Sequence, residues 1–264
     1  MKPNLYYGGE RGDSTPQPGI CHVSIPPPHR AGELETPFIA SIPVLRRWTK
    51  EDPAKHVVLG SLTHLDQGRF GHFLSQRLST TAGQAFVFIH GYNNTFAYAC
   101  KRTAQLAYDL NFPGVPILYS WPSAASAARY TVDDGNADWS LPHFKDFLQM
   151  IARQTGATTI HLVAHSTGGR LLSKALEEMA RDGDIKTVRF HQVVFAAADV
   201  DADDFRTQYA PAIAKLSQRI TLYVSSADRA LLASQKLRQY PRAGEAGPNL
   251  LVMDGVDTID VSPV

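Results

Sequence analysis

The chain has only two cysteines in 264 residues, Cys21 and Cys100. Two such distant positions give no disulfide framework and no metal-ligand spacing. Cys100, inside a helical pattern, reads as a small core residue. An excess of charge of either sign is also missing: 26 Lys and Arg stand against 25 Asp and Glu, a formal net charge of +1. That removes any electrostatic case for nucleic acid or an anionic membrane as partner. No apolar run is long enough to span a bilayer. The start, Met1 to Tyr7, lacks the hydrophobic region of a signal peptide, so the default expectation is a cytoplasmic protein. No internal repeat and no low-complexity tract is present. What remains, 44% hydrophobic and 19% charged residues, is the composition of a globular chain with a sizeable core.

Residues 1–19 are polar, rich in Gly and Pro, and read as an extended arm. Ile20–Ile25 and Val57–Leu62 are strand candidates. They flank an irregular stretch from His29 to Pro53 with short apolar pieces at Phe38-Ile39-Ala40 and Val44-Leu45. Gly68–Leu78 reads as a short helix. Ala85 to Ile89 is a continuous apolar run ending in His90-Gly91, the pattern of a strand buried on both faces. Asn94-Thr95 offers an N-cap for a helix over Phe96–Leu110. Val115–Trp121 is the next strand, Pro122–Asp138 a small, polar loop, and Leu141–Gln154 a helix. Further on come helix Leu171–Ala180, strand Gln192–Ala198, helix Ala202–Leu216, strand Ile220–Val224, helix Leu231–Leu237 and a last strand at Leu250–Met253. Buried strands alternating with helices predict an α/β fold: one mostly parallel central sheet with helices on both faces, in a single domain over residues 20–264. Such sheets place their sites at the carboxyl ends of the strands.

The stretch from Thr158 to Arg170 carries the chemistry. A β-branched apolar run stops at Ser166, two glycines follow, and a helical pattern begins. Small residues at Ala164 and Gly168 flank the serine two positions either way. This is the spacing of a nucleophile elbow, with Ala where the first position is usually Gly. An elbow lifts the serine hydroxyl clear of the sheet and sets the N–H of Thr167 at a helix N-terminus, where an oxyanion is favoured. His90-Gly91-Tyr92-Asn93 follows the third strand, and the backbone N–H of Tyr92 is the candidate second oxyanion donor. His90 and His165 are expected to be structural, since a base must face the serine from another strand. The acid candidates are Asp228, which is favoured, and Asp199; each could instead be a helix cap.

Taken in order, Val87-Phe88-Ile89-His90-Gly91-Tyr92-Asn93, Ala164-His165-Ser166-Thr167-Gly168, Ala197-Ala198-Asp199-Val200-Asp201, Ser226-Ala227-Asp228-Arg229-Ala230-Leu231 and Val256-Asp257-Thr258-Ile259-Asp260 resemble an α/β-hydrolase. More narrowly, they resemble a bacterial esterase- or lipase-like family long catalogued as a domain of unknown function. The resemblance implies hydrolysis of carboxylic esters without a cofactor, with Ser166 as nucleophile and Asp228 as acid; the small residues of the Pro122–Asp138 loop suggest small, water-soluble esters. It also implies a histidine in a loop after the last strand, then a closing helix. Here the ten histidines stand at 22, 29, 56, 64, 72, 90, 143, 161, 165 and 191, so none follows Asp228. Three expectations follow. The chain is a shortened form of a working enzyme, lacking the histidine loop and closing helix, and is nearly inactive alone. Or His143 or His191 substitutes, although His191 sits at the wrong end of its strand. Or the site is degenerate, and the protein is a binding or interaction module.

Overall fold

The apolar run after Gly83 forms an inner strand of the larger sheet. In the computed structural model, which describes residues 7–13, 15–37, 50–126, 129–183, 188–227, 231, 234 and 239–262, this run is strand β3 (Gln84–Ile89), buried from Ala85 to Ile89. It pairs in parallel with β4 (Val115–Tyr119) on one side and β5 (Thr159–His165) on the other. The sheet continues through β6 (Phe190–Ala196), β7 (Ser217–Val224) and β8 (Val256–Asp260), all parallel, in the order β4-β3-β5-β6-β7-β8. The expected pieces at Phe38-Ile39-Ala40 and Val44-Leu45, Asp228, and most of the expected helix at Leu231–Leu237 lie outside the described residues.

Strands β1 (Gly19–Ser24) and β2 (Val58–His64) are not part of this sheet. They form their own antiparallel pair, which packs on α2 (Phe96–Asp109). Along the chain, β2 is followed by α1 (Gln67–Ser79), N-capped by Asp66, whose carboxylate accepts the Arg69 N–H. Thr95 caps α2 in the same way, accepting from the Tyr98 N–H at 3.1 Å. The remaining crossover helices are α3 (Tyr130–Gln154), α4 (Thr167–Arg181) and the segment from α5 (Ala202–Asp204) through a π turn (Phe205–Tyr209) into α6 (Ala210–Leu216).

Connectivity fixes which face each helix covers. From β3 the chain moves outward through α2 to β4, then returns through α3 past β3 to β5 and keeps that direction. Right-handed crossovers in opposite directions place α2 on one face and α3, α4 and α6 on the other. Contacts of α4 with both α3 and α6 agree. The reversal occurs between β3 and β5, so the loops leaving their carboxyl ends diverge and open a crevice there. Ser166 and the His90–Asn94 turn both border it.

Two expectations are corrected. Pro122–Asp138 is not all loop, because α3 begins at Tyr130 and runs through Pro142. The inward face of its first turns carries Asp133, Asn136, Ala137 and Ser140, so there is no apolar stripe to read. Leu250–Met253 is not a strand. Val252 is 65% exposed, and the segment makes one bridge, Met253 to Val256, before β8 begins.

Candidate active site

Strand β5 alternates inward Ile160, Leu162 and Ala164 with half-buried neighbours and ends one residue before Ser166. Ser166 then takes φ 52° and ψ −123°, a conformation L-residues reach only at a cost of about 1–3 kcal/mol. Packing holds it there. Its N–H donates to the Ala196 carbonyl at 3.0 Å, and its own carbonyl accepts from Gly169 at 2.9 Å and Asp199 at 3.2 Å. Two glycines make the room. A Cβ on Gly91 would lie 2.9 Å from the Ser166 Cβ, and one on Gly168 would lie 2.5 Å from the His90 carbonyl oxygen. Thr167 is the first residue of α4, so its N–H is among the amides a helix leaves without an intrahelical partner.

The facing turn is braced from below. His90 is buried and stacks on Trp121, with ring centres 5.0 Å apart. Its Nδ1 faces the Gly91 carbonyl at 2.8 Å, and its Nε2 faces the Ser120 hydroxyl at 3.1 Å. A carbonyl only accepts, so Nδ1 carries the proton and Nε2 accepts from Ser120. Burial pushes the His90 pKa down to about 4, against partial opposition from its hydrogen bonds. The ring is therefore neutral at pH 7. Asp133, on the first turn of α3, ties down the other end of the turn. It accepts the Asn93 N–H at 3.0 Å, the Ala124 N–H at 2.6 Å and the Ser123 hydroxyl at 2.7 Å. The Tyr92 ring meets Tyr130 edge-on, with centres 5.3 Å apart.

Asp199 sits beside the elbow, buried with Arg242. It accepts from the Tyr130 hydroxyl at 2.5 Å, the Ser234 hydroxyl at 2.6 Å and Arg242 Nε at 3.0 Å. Burial opposes its charge. The hydrogen bonds from Ser234 and Tyr130, with the charges of Arg242 and Arg170, outweigh that and hold its pKa below the ordinary carboxylate value. One turn along α4 from Ser166, a cavity of about 400 Å³ is lined by Arg170, Lys174, Asp201, Tyr209 and Arg242, among others. Among the described residues, no three His, Cys, Asp or Glu are grouped as metal ligands. No helix there is long and apolar enough to cross a membrane.

Residues 67–264 match the family described as alpha/beta hydrolase of unknown function (DUF900). The chain belongs to this family. Comparison with curated proteins finds no match. Among solved structures, the chain is similar to a predicted CIB-like hydrolase from Thermoplasma acidophilum, at 17% identity over 68% of this chain and 76% of that one, with a TM-score of 0.37. It is also similar to EstE7, a homologue of HSL from a metagenome library, at 15% identity over 74% of this chain and 87% of that one, with a TM-score of 0.37.

Within this alpha/beta hydrolase, the sequence-predicted residues separate. Ser166, Thr167 and Tyr92 border one crevice. Asp199 adjoins it, but its side-chain partners among the described residues are Tyr130, Ser234 and Arg242 rather than a histidine. His143 stands 13 residues into α3, about 20 Å along the helix from Tyr130. His191 lies five residues before Ala196, the partner of His165, so it is about 16 Å down the sheet from the elbow. There it packs against His161. Sequence reading missed Asp133, Ser123, Tyr130, Ser234 and Arg242. Arg242 stands in an irregular stretch with no periodic signal. Asp133 stands in a small, polar segment beside Asp134 and Asp138, so its being an acid does not single it out.

Proposed function

We propose that this alpha/beta hydrolase is a serine hydrolase of small carboxylic esters. The observation that carries the reading is the backbone of Ser166, held at positive φ between β5 and α4 where the sheet changes winding direction. In the proposed reaction Ser166 Oγ attacks the ester carbonyl and its proton passes to a base. The N–H groups of Thr167 and Tyr92 receive the oxyanion. The tetrahedral species collapses with loss of the alcohol, which takes up the proton, and water then releases the acid from the acyl-serine. Asp199 already accepts from three donors, which supports assigning the acid that orients the base to Asp228.

The base is not assigned to any of the ten histidines. None follows Asp228, and both ring nitrogens of His90 are engaged. Loss of the histidine in a serine hydrolase costs roughly a millionfold in turnover. With none of the ten histidines assigned as base, ester hydrolysis by these 264 residues is proposed to be slow. The test is p-nitrophenyl acetate hydrolysis with and without added imidazole, beside Ser166→Ala. The expected result is slow turnover that imidazole raises above its own background, with the increment gone in Ser166→Ala. Turnover indifferent to Ser166→Ala would remove the serine from the mechanism. Fast, serine-dependent turnover without imidazole would show that a base is already in place. No serine-dependent turnover with imidazole, and no labelling by a fluorophosphonate, would favour a binding module.

A further inference from the structure

The two cysteines, distant in sequence, meet in the fold. Cys21 lies on β1 opposite Leu62, Cys100 is buried in α2, and their sulfur atoms are 3.0 Å apart. A disulfide bond is about 2.05 Å long, so closure needs about 1 Å of approach. We propose that Cys21 and Cys100 are a reversible covalent site, closing to a disulfide that staples the β1–β2 pair to α2.

The setting favours this chemistry on three counts. First, the pair is asymmetric. Cys21 is half-buried, whereas Cys100 is buried. Second, the thiol of Cys100 hydrogen-bonds Cys21 and draws the Cys21 pKa down, while Cys100 is pushed up by the same bond and by burial. Cys21 is thus the attacking thiolate and Cys100 the resolving thiol. Third, the elements being joined are a strand of the separate two-stranded pair and a crossover helix of the six-stranded sheet. The bond would close a loop between positions 79 apart in sequence, long enough for a large entropic effect on the unfolded chain.

The oxidant is a small-molecule disulfide. The Cys21 thiolate attacks one of its sulfurs, forming a mixed disulfide and expelling one small thiolate, which takes up a proton. Cys100 then loses its proton and attacks the Cys21 sulfur, forming the Cys21–Cys100 bond and expelling the second small thiolate. Two protein thiols are oxidised and one small disulfide is reduced to two thiols.

The full chain is equilibrated with mixtures of oxidised and reduced glutathione, quenched in acid and alkylated. Both thiols are expected to disappear together, with a Cys21–Cys100 peptide in the non-reduced digest. The melting temperature is expected to rise by about 10 °C, and dithiothreitol to reverse both changes. Cys21→Ser, at the more exposed position, should melt near the reduced protein and show no shift under oxidation. Two alkylatable thiols persisting under oxidising mixtures would overturn the proposal. So would a glutathione adduct on Cys21 that Cys100 never resolves, or a closed disulfide that leaves the melting temperature unchanged or lower.

Discussion

Ser166 can hold its backbone conformation only because two neighbours have no side chain. At Gly168, an added methyl would lie 2.5 Å from the His90 carbonyl oxygen and 2.6 Å from that of Ile89. Both are backbone atoms of β3 and its exit turn, so the helix or the turn must move. Gly168→Ala should cost about 1–3 kcal/mol in urea unfolding; a neutral result would mean that α4 is not pinned against β3 there. The brace below the turn makes a second prediction. His90 is neutral when folded, with its pKa lowered to about 4, while an unfolded histidine titrates near 6.5. Its contribution is complete above about pH 6.5. As pH falls, the unfolded chain takes the proton first, and stability drains until pH passes through about 4. Over that window the loss is about 3 kcal/mol, and His90→Gln should flatten this part of the stability–pH curve. An unchanged acid limb would show that the ring is protonated as easily in the fold as outside it.

The elements differ in how openly the sequence declares them, and the reason is what each one buries. β3 was legible because every residue from Ala85 to Ile89 is apolar and inside. α2 was legible from its Thr95 cap. The beginning of α3 was not, because its buried face is made of Asp133, Asn136 and Ser140. Asp133 accepts from the Asn93 and Ala124 N–H groups and the Ser123 hydroxyl, Asn136 accepts from Arg11, and Ser140 donates to the Asn136 carbonyl within the helix. Leu250–Met253 misled for the opposite reason: it is apolar throughout, yet Leu250 and Val252 are exposed while Leu251 is buried. At the elbow, residue types and spacing pointed to Ser166, but the partners of Asp199 come from positions 130, 234 and 242, which no local pattern connects. The Cys21–Cys100 contact is of the same kind: Cys100 is buried, as its helical pattern predicts, but no local pattern connects it to Cys21. Asp133 tests whether α3 depends on its polar face. Its carboxylate joins the helix to both the Tyr92 turn and the Ser123–Ala124 loop. Asp133→Ala should destabilise the protein by about 3 kcal/mol and speed amide exchange selectively in the first turns of α3. Uniform exchange along α3 would place its anchor elsewhere.

Across the whole molecule, the N-terminal part is fastened to the sheet domain at separate points. The β1–β2 pair lies on α2. In the arm, Arg11 donates from Nε to Asn136 Oδ1 at 2.8 Å and from Nη2 to the Gly135 carbonyl at 2.9 Å, and its guanidinium covers Trp139. His29 bridges Glu35 at 2.9 Å and Asp109, the last residue of α2, at 2.7 Å. We propose that residues 20–264 are accordingly one folding unit with the arm docked on it. Far-UV circular dichroism and tryptophan fluorescence should then report coincident unfolding. His29 supplies the sharper test. Burial lowers its pKa, but the hydrogen bonds and charges of Glu35 and Asp109 outweigh that and raise it above the ordinary value. A histidine held protonated by the fold stabilises fully below about pH 6.5, and that support is lost as pH rises through its raised folded value. If the clasp belongs to the cooperative unit, the single midpoint should decline as pH rises above about 6.5, and His29→Gln should remove the decline. Two separate transitions, or a pH response confined to the first of them, would mean that the N-terminal part melts off a sheet that stands without it.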